Sequence, residues 1–195
     1  MNHTPQIKKA IQFAARKHHG QLRIANPADG PLPYVTHLFS VALLVAEDGT
    51  DDEIVIAALL HDTLEDTDTT REELATVFGE RVAALVESVS EIREKNGEPF
   101  DWKGRKEDYL ARLENTSDDA VLIAIADKID NIESRIEEFE KQGDLFLGHW
   151  KQPNEAYLWF YGETARIAQK RLPKHALTKR LVQVHAHQVE MFAGK

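Results

Sequence analysis

The chain has 195 residues, a formal net charge of −9 and no cysteine. A chain of this length is expected to form a single domain, residues 1–195, with a core large enough to fold without crosslinks. Because cysteine is absent, neither a disulfide framework nor a thiolate zinc site is possible. An acidic surface repels polyanions, so nucleic acid is not an expected partner, whereas a small phosphorylated molecule is still allowed.

No segment of the sequence is typical of a secreted protein or of a membrane protein. The amino terminus lacks the apolar stretch of a secretory signal. The longest apolar runs are far shorter than the roughly 20 residues that a membrane-spanning helix needs. We therefore expect a cytoplasmic protein without a membrane partner, and the sequence indicates no particular oligomeric state.

Helical signals follow one another along the chain, and capping residues mark many of the boundaries. The first helix is predicted to begin at Thr4-Pro5 and to end at Gly20. A third helix is predicted to begin at Thr50 and to end with His61-Asp62, and a fourth to begin at Thr70, both with capping-box spacing. The remaining helices are predicted over about residues 36–47, 80–92, 102–114, 117–142, 153–171 and 174–192.

Polar segments separate these helices, and no run alternates apolar and polar residues over a useful length. Residues 24–34 and 94–101 contain proline, glycine, asparagine and aspartate and are predicted to be loops. The sequence therefore predicts an all-α fold of about eight to ten helices, in which residues 145–195 form the C-terminal helices.

An apolar helix that changes abruptly to charged residues is the most informative feature of the sequence. The apolar run 54–60 is followed directly by His61 and Asp62, and then by Glu65 and Asp66. A charged side chain that leaves water is costly unless it is paired, and a divalent cation is a usual partner of such a group. The segment therefore indicates a metal site.

Four residues are candidate ligands of one cation: His37, His61, Asp62 and Asp127. Adjacent residues of a helix diverge by about 100°, so His61 and Asp62 can hold a cation only with ligands from neighbouring helices. His37 and Asp127 belong to two other apolar helices and are placed to supply these ligands. Nitrogen and oxygen donors without sulfur suit Mn²⁺, Fe²⁺, Co²⁺ or Zn²⁺.

The order of these residues resembles that of the HD phosphohydrolase superfamily. The finer likeness is to the hydrolase domain of RelA/SpoT proteins and to the stand-alone small alarmone hydrolases. It covers about residues 7–135, and Glu65-Asp66 distinguishes this group from most other HD phosphohydrolases. The stretches on which it rests are His18-x-Gly20-Gln21-x-Arg23, Tyr34-x-x-His37, Leu59-Leu60-His61-Asp62-x-x-Glu65-Asp66-Thr67, Phe78-Gly79-x-x-Val82 and Ala126-Asp127-Lys128-x-x-Asn131.

The resemblance implies an HD-domain helical bundle and an enzyme of the stringent response. The implied activity is that of a Mn²⁺-dependent guanosine-3′,5′-bis(diphosphate) 3′-pyrophosphohydrolase, which converts (p)ppGpp to GDP or GTP and pyrophosphate. The four candidate ligands would hold one Mn²⁺, and the catalytic residues Glu65 and Asp66 would position and activate the attacking water.

The resemblance also implies the residues that bind the nucleotide. Arg23 would lie over the guanine base, and Asn131 would contact the nucleotide. Ser134 lies one turn further along the same helix, where relatives line the base pocket, and Lys106 would neutralise phosphate.

The sequence departs from the family pattern at several positions, and two other functions stay open. Leu38 stands where the family usually has proline, and Ile24 stands where it usually has a basic residue. Asp130 stands where the family often has histidine, and residues 26–31 lengthen one loop. The alternatives are an HD-type nucleotide or NADPH phosphatase with the same metal centre, and a non-catalytic helical domain that senses a nucleotide.

Overall fold

The computed structural model describes residues 4–23, 30–47, 49–95, 97–147 and 151–194. Nine helices of eight or more residues and two of four lie in these ranges, so the all-α fold is confirmed. None of the helices in the described ranges is long and apolar enough to span a bilayer. The helices are α1 Pro5–Lys17, α2 Val35–Ala46, α3 Asp52–Leu60, α4 Thr63–Asp66, α5 Arg71–Phe78, α6 Glu80–Val89, α7 Trp102–Asn115, α8 Asp118–Gln142, α9 Asp144–Leu147, α10 Asn154–Arg171 and α11 Ala176–Phe192.

A short antiparallel pair of strands lies in the segment between α6 and α7, which was predicted to be a loop. β1 Glu94–Lys95 pairs with β2 Glu98–Pro99, two residues on each side. Both residues of β2 are exposed and contribute nothing to the core.

Capping side chains fix several helix boundaries where the sequence predicted them. Thr4, Thr70 and Ser117 each accept a hydrogen bond from the backbone N–H three residues later, at 3.3, 3.1 and 3.2 Å. Such a bond satisfies one of the amides that the first turn of a helix leaves without a partner. Gly143 follows the last residue of α8 with a φ of 60°, which favours glycine.

The predicted start of the third helix and the predicted end of the first helix are wrong. The cap of α3 is Asp51, whose carboxylate accepts from the N–H of Glu53 at 2.7 Å. The Thr50 hydroxyl instead donates to a carbonyl near the end of α2 at 2.6 Å, so it is not available as a cap. At the other end of the first helix, α1 ends at Lys17, three residues before Gly20.

Two helices with long, continuously buried runs form the centre of the fold. Every residue from Ile54 to Leu60 in α3 is buried, and so is every residue from Ala120 to Ile129 in α8. A helix without a polar face must be covered all round. Helix α3 packs against α1, α2, α6 and α8, and α8 also packs against α2, α6, α10 and α11. The ends and turns of these central helices are therefore held by the core.

Replacing a buried leucine of this core should cost much more stability than replacing an exposed one. Leu113 is 0% exposed and Leu145 is 79% exposed. We expect Leu113→Ala to lower the free energy of unfolding by about 2–5 kcal/mol, because the change leaves a cavity. Leu145→Ala should stay within about 0.5 kcal/mol of the wild type. Urea unfolding of both variants measures the difference, and equal losses would contradict the described packing.

Candidate active site

The turn at the end of α3 positions the first two site residues. Helix α3 ends at Leu60, so the prediction that His61 and Asp62 lie inside the third helix is wrong. Asp62 has φ −95° and ψ −2°, away from the regular helical values of about −63° and −42°. The two side chains converge there, with 3.1 Å between His61 Nε2 and Asp62 Oδ2. In a continuous helix they would diverge by about 100°.

Three helical segments bring imidazole and carboxylate atoms to one point. His37 from α2, His61 from the end of α3 and Asp127 from α8 each offer a donor atom, and these atoms all lie within 4.8 Å of one another. His37 Nε2 is 3.3 Å from Asp127 Oδ1 and 3.6 Å from Asp62 Oδ2. The structure thus brings all four predicted ligands together, and we call this group the His/Asp cluster.

Both histidines of the His/Asp cluster are oriented as cation ligands. His61 Nδ1 lies 2.9 Å from the carbonyl oxygen of Ala58, and His37 Nδ1 lies 2.6 Å from Asp130 Oδ2. These oxygens only accept, so each Nδ1 bears a proton and each Nε2 of a neutral ring directs its lone pair into the cluster. Within the described residues, the buried His61 Nε2 has no hydrogen-bond partner. The donor set therefore fits one divalent cation.

The electrostatic environment of the His/Asp cluster favours positive charge. Burial acts to raise the pKa of Asp62, but His61 and His37 outweigh it and hold this pKa below its usual range. Burial likewise acts to lower the pKa of His61, but Asp62 and Asp127 raise this pKa well above its ordinary value. Protons on the imidazoles and a divalent cation are alternative sources of that charge, so cation binding is expected to release protons.

Glu65 and Asp66 lie beside the His/Asp cluster and are held by the segment after α6. Glu65 accepts a hydrogen bond from the backbone N–H of Glu91 at 2.8 Å, and Arg93 donates to Asp66 at 3.1 Å. Burial and the Asp62 carboxylate raise the pKa of Glu65 to about 8 and also raise the pKa of Asp66. Carboxyl groups with a pKa near neutrality suit general acid–base chemistry.

Two adjoining cavities open at these residues, with volumes of about 150 and 320 Å³. The smaller one is lined by three residues of the His/Asp cluster, His37, Asp62 and Asp127, and also by Glu65 and Asp66. The larger one is lined by the four residues predicted to bind the nucleotide, Arg23, Lys106, Asn131 and Ser134. Four residues line both cavities: Tyr34, Lys106, Lys128 and Asn131. A single ligand can therefore extend from one cavity into the other.

The two predicted basic residues face these cavities with acidic partners already in contact. Arg23 donates to the Asp130 carboxylate, and Lys106 donates to the Glu91 carboxylate. These ion pairs fix the direction of long side chains that would otherwise be mobile. Ile24 and most of the lengthened loop lie outside the described residues.

Three further site residues received no role from the sequence. The Tyr34 hydroxyl donates to Asp62 at 2.5 Å, and the Lys128 ammonium donates to Asp127. Asp130 accepts the hydrogen bond of a cluster histidine. Their spacing from the predicted ligands was the available signal, but spacing along a helix does not identify a partner on another helix.

Comparison with known proteins places the chain in a family. Residues 10–144 match a family described as the HD domain. A protein of Aquifex aeolicus named guanosine-3′,5′-bis(diphosphate) 3′-pyrophosphohydrolase is 42% identical over 135 residues, which are 68% of this chain but 18% of that longer protein. A human protein of that name, with the suffix MESH1, is 40% identical over 65% of this chain. Its Danio rerio counterpart is 37% identical over 66% of this chain, and each match covers 68% of the relative.

Two solved structures share the fold. A metazoan SpoT ortholog described as hydrolysing ppGpp superposes with a TM-score of 0.75 at 25% identity, over 96% of this chain and 98% of its own. A Listeria monocytogenes protein superposes with a TM-score of 0.70 at 22% identity, over 79% of this chain and 99% of its own. Fold and site thus define an all-α phosphohydrolase with a candidate metal centre, which confirms that the chain is an enzyme. The chain belongs to the HD domain family, as predicted.

Removing a ligand from the His/Asp cluster should abolish cation binding. We expect His61→Ala and Asp127→Ala to lose stoichiometric Mn²⁺ after loading and dialysis, as measured by elemental mass spectrometry. Unpaired buried groups should also lower the free energy of unfolding by about 1–3 kcal/mol. Asp119→Ala is the matched control, because Asp119 lies on the same helix but pairs with Arg81 at the surface. A ligand variant that retains one Mn²⁺ per chain would break the assignment of ligands.

Proposed function

We propose that the protein is a Mn²⁺-dependent guanosine-3′,5′-bis(diphosphate) 3′-pyrophosphohydrolase, which converts (p)ppGpp to GDP or GTP and pyrophosphate. The observation on which this proposal rests is that Glu65 and Asp66 line one cavity together with His37, Asp62 and Asp127 of the His/Asp cluster. Relatives from three organisms bear the name of this activity and cover about two thirds of the chain. The cytoplasmic location expected from the sequence stays a prediction.

His37, His61, Asp62 and Asp127 are the proposed ligands of the cation. Their imidazole and carboxylate donors suit Mn²⁺, although the same set also suits Fe²⁺, Co²⁺ and Zn²⁺. A divalent cation supplies Lewis acidity to such a site, which increases the acidity of water and offsets phosphate charge. The hydrogen bonds on both Nδ1 atoms keep the imidazoles directed at the cluster before a cation binds.

Glu65 and Asp66 are the proposed catalytic residues. In their ionised form, the two carboxylates orient the attacking water and accept its proton, and a pKa of about 8 lets Glu65 exchange a proton near neutral pH. The backbone N–H of Glu91 and the guanidinium of Arg93 fix these carboxyl groups in position. Proton transfer of this kind typically contributes 10²–10⁴ in rate.

The larger cavity is the proposed nucleotide pocket. Arg23, Asn131 and Ser134 line it as binding residues for base and ribose, and Lys106 stands where the two cavities meet. Lys128 lies at the same junction with its ammonium group directed at Asp127. Two ammonium groups at the junction offset the charge of a phosphoryl group that passes from one cavity to the other.

Neutralising the catalytic pair should separate turnover from binding. We expect Glu65→Gln/Asp66→Asn to keep the fold, the bound Mn²⁺ and near-normal affinity for ppGpp, and to lose at least about a hundredfold in kcat. The physical reason is that the amides cannot accept the proton of the attacking water. Pyrophosphate release measures kcat, and isothermal titration with ppGpp measures affinity.

Asp68→Asn is the matched control for this pair. Asp68 lies two residues further along and pairs only with Lys17 at the surface among the described residues, so kcat should not change. If the double variant turns over like the wild type, the proposed mechanism is wrong. If it loses the cation, Glu65 or Asp66 is a ligand and the metal site must be reassigned.

A substrate panel distinguishes the proposed activity from its alternatives. We expect kcat/KM for ppGpp and pppGpp to exceed that for NADPH and nucleoside monophosphates, because the residues around the larger cavity are assigned to a guanine nucleotide with a 3′-diphosphate. Phosphate and pyrophosphate assays on the Mn²⁺-loaded enzyme give the comparison. Preferential release of phosphate from NADPH would favour the phosphatase alternative, and no turnover of any compound would favour the nucleotide sensor.

A further inference from the structure

Asp130 occupies a position between the two functional parts of the site. It lies on α8, one turn after Asp127, and its side chain is 13% exposed. The Asp130 Oδ2 atom accepts a hydrogen bond from His37 Nδ1 at 2.6 Å. The same Oδ2 atom also accepts one from the guanidinium of Arg23. Asp130 Oδ2 therefore contacts both His37, a proposed metal ligand, and Arg23, a proposed nucleotide-binding residue.

The contact with His37 affects how this residue holds a cation. A carboxylate on Nδ1 fixes the ring in the tautomer that leaves Nε2 free, and it makes Nε2 a stronger donor. His37 is 1% exposed, so its Nδ1 hydrogen bond is made to the protein and not to bulk solvent. Within the described part of the chain, the ring would lose the hydrogen-bond partner of its Nδ1 atom if the Asp130 carboxylate were removed. Loss of such a partner typically weakens metal affinity 10–100-fold.

The contact with Arg23 affects how this residue meets a nucleotide. Arg23 has two described partners, the Asp130 carboxylate and Asn131 Oδ1 at 3.2 Å, and both lie on α8. The ion pair is the stronger of the two, because both groups are charged and mostly buried. Without it, a long side chain with many rotamers would have to be ordered by the ligand, at a cost in affinity.

We propose that Asp130 is a shared positioning residue, whose one carboxylate oxygen orients both the metal ligand His37 and the nucleotide-binding residue Arg23. Cation affinity and nucleotide affinity then depend on the same side chain, although Asp130 touches neither the cation nor the reacting phosphate. This inference rests on the proposed function, since that proposal supplies the roles of His37 and Arg23. It adds a residue that links the two cavities physically.

The test measures two binding properties of the same variants. Cation affinity is measured without nucleotide, by the visible absorption of Co²⁺ titrated into the purified chain, and KM for ppGpp is measured at saturating Mn²⁺. We expect Asp130→Ala to weaken Co²⁺ binding about 10–100-fold and to raise KM at least about tenfold. Asp130→Asn keeps an acceptor oxygen but no charge, so both effects should be smaller and still at least about threefold.

Glu133→Ala is the matched control, since it also removes an ion pair from α8. Glu133 accepts from Arg180 at 3.0 and 2.9 Å, away from both cavities. This variant loses the ion pair with Arg180, as Asp130→Ala loses the one with Arg23, but it should leave Co²⁺ affinity and KM unchanged. Thermal unfolding shows whether each variant is folded, and Asp130→Asn alone decides the matter if Asp130→Ala does not fold.

Each result has one meaning. Weaker Co²⁺ binding together with a higher KM supports the shared role. Weaker Co²⁺ binding with an unchanged KM shows that Asp130 serves His37 alone, and unchanged Co²⁺ binding shows that it does not position His37; either result overturns the inference and leaves the proposed function intact. If the wild-type chain itself binds no Co²⁺ or Mn²⁺, the proposed function fails, and the inference fails with it.

Discussion

The His/Asp cluster is the constraint on which the rest of the structure depends, because two carboxylates and two imidazoles meet where water is largely excluded. Buried charges of this kind destabilise a fold unless a partner offsets them. The proposed ligands come from α2, from the end of α3 and from α8, and the last two helices contain continuously buried runs, Ile54 to Leu60 and Ala120 to Ile129. The hydrophobic core therefore holds the proposed ligands at short distances.

The sequence predicted the helices and the residue types of the site better than it predicted their contacts. The cap at Ser117 and the glycine at Gly143 give α8 both of its ends, because each signal acts within a few residues. The end of α3 was not predicted, because neither glycine nor proline marks it. The Thr63 hydroxyl does not cap a helix there; it donates a hydrogen bond to the Leu60 carbonyl at 2.6 Å. Arg23, one of the two partners of Asp130, lies 107 residues away from it in the sequence, and no local pattern encodes such a contact.

The protein has a net charge of −9, yet basic side chains outnumber acidic ones around the larger cavity. Arg23, Lys106, Lys128 and Arg135 all line the larger one. Lys106 and Lys128 lie 4.4 and 5.2 Å from the ring centroid of Phe160, so an aromatic face partly compensates for their burial. Short-range attraction of this kind is screened little inside a cavity, whereas the repulsion from exposed acids falls off within about 8–10 Å at physiological salt. An anionic nucleotide is therefore compatible with an acidic protein.

The proposed ligands and the proposed catalytic pair are fixed by different parts of the chain. The core helices hold the His/Asp cluster, while Glu65 and Asp66 are held through Glu91 and Arg93, which follow α6 near the surface. Substitutions are therefore expected to change cation binding and water activation separately, even though His37, Asp62 and Asp127 line the same cavity as Glu65 and Asp66. The same arrangement argues against a purely sensory role. Burial raises the pKa of Glu65 to about 8, and a pocket that only binds a nucleotide gains nothing from burying such a carboxyl group. Such a group is useful where a proton is transferred.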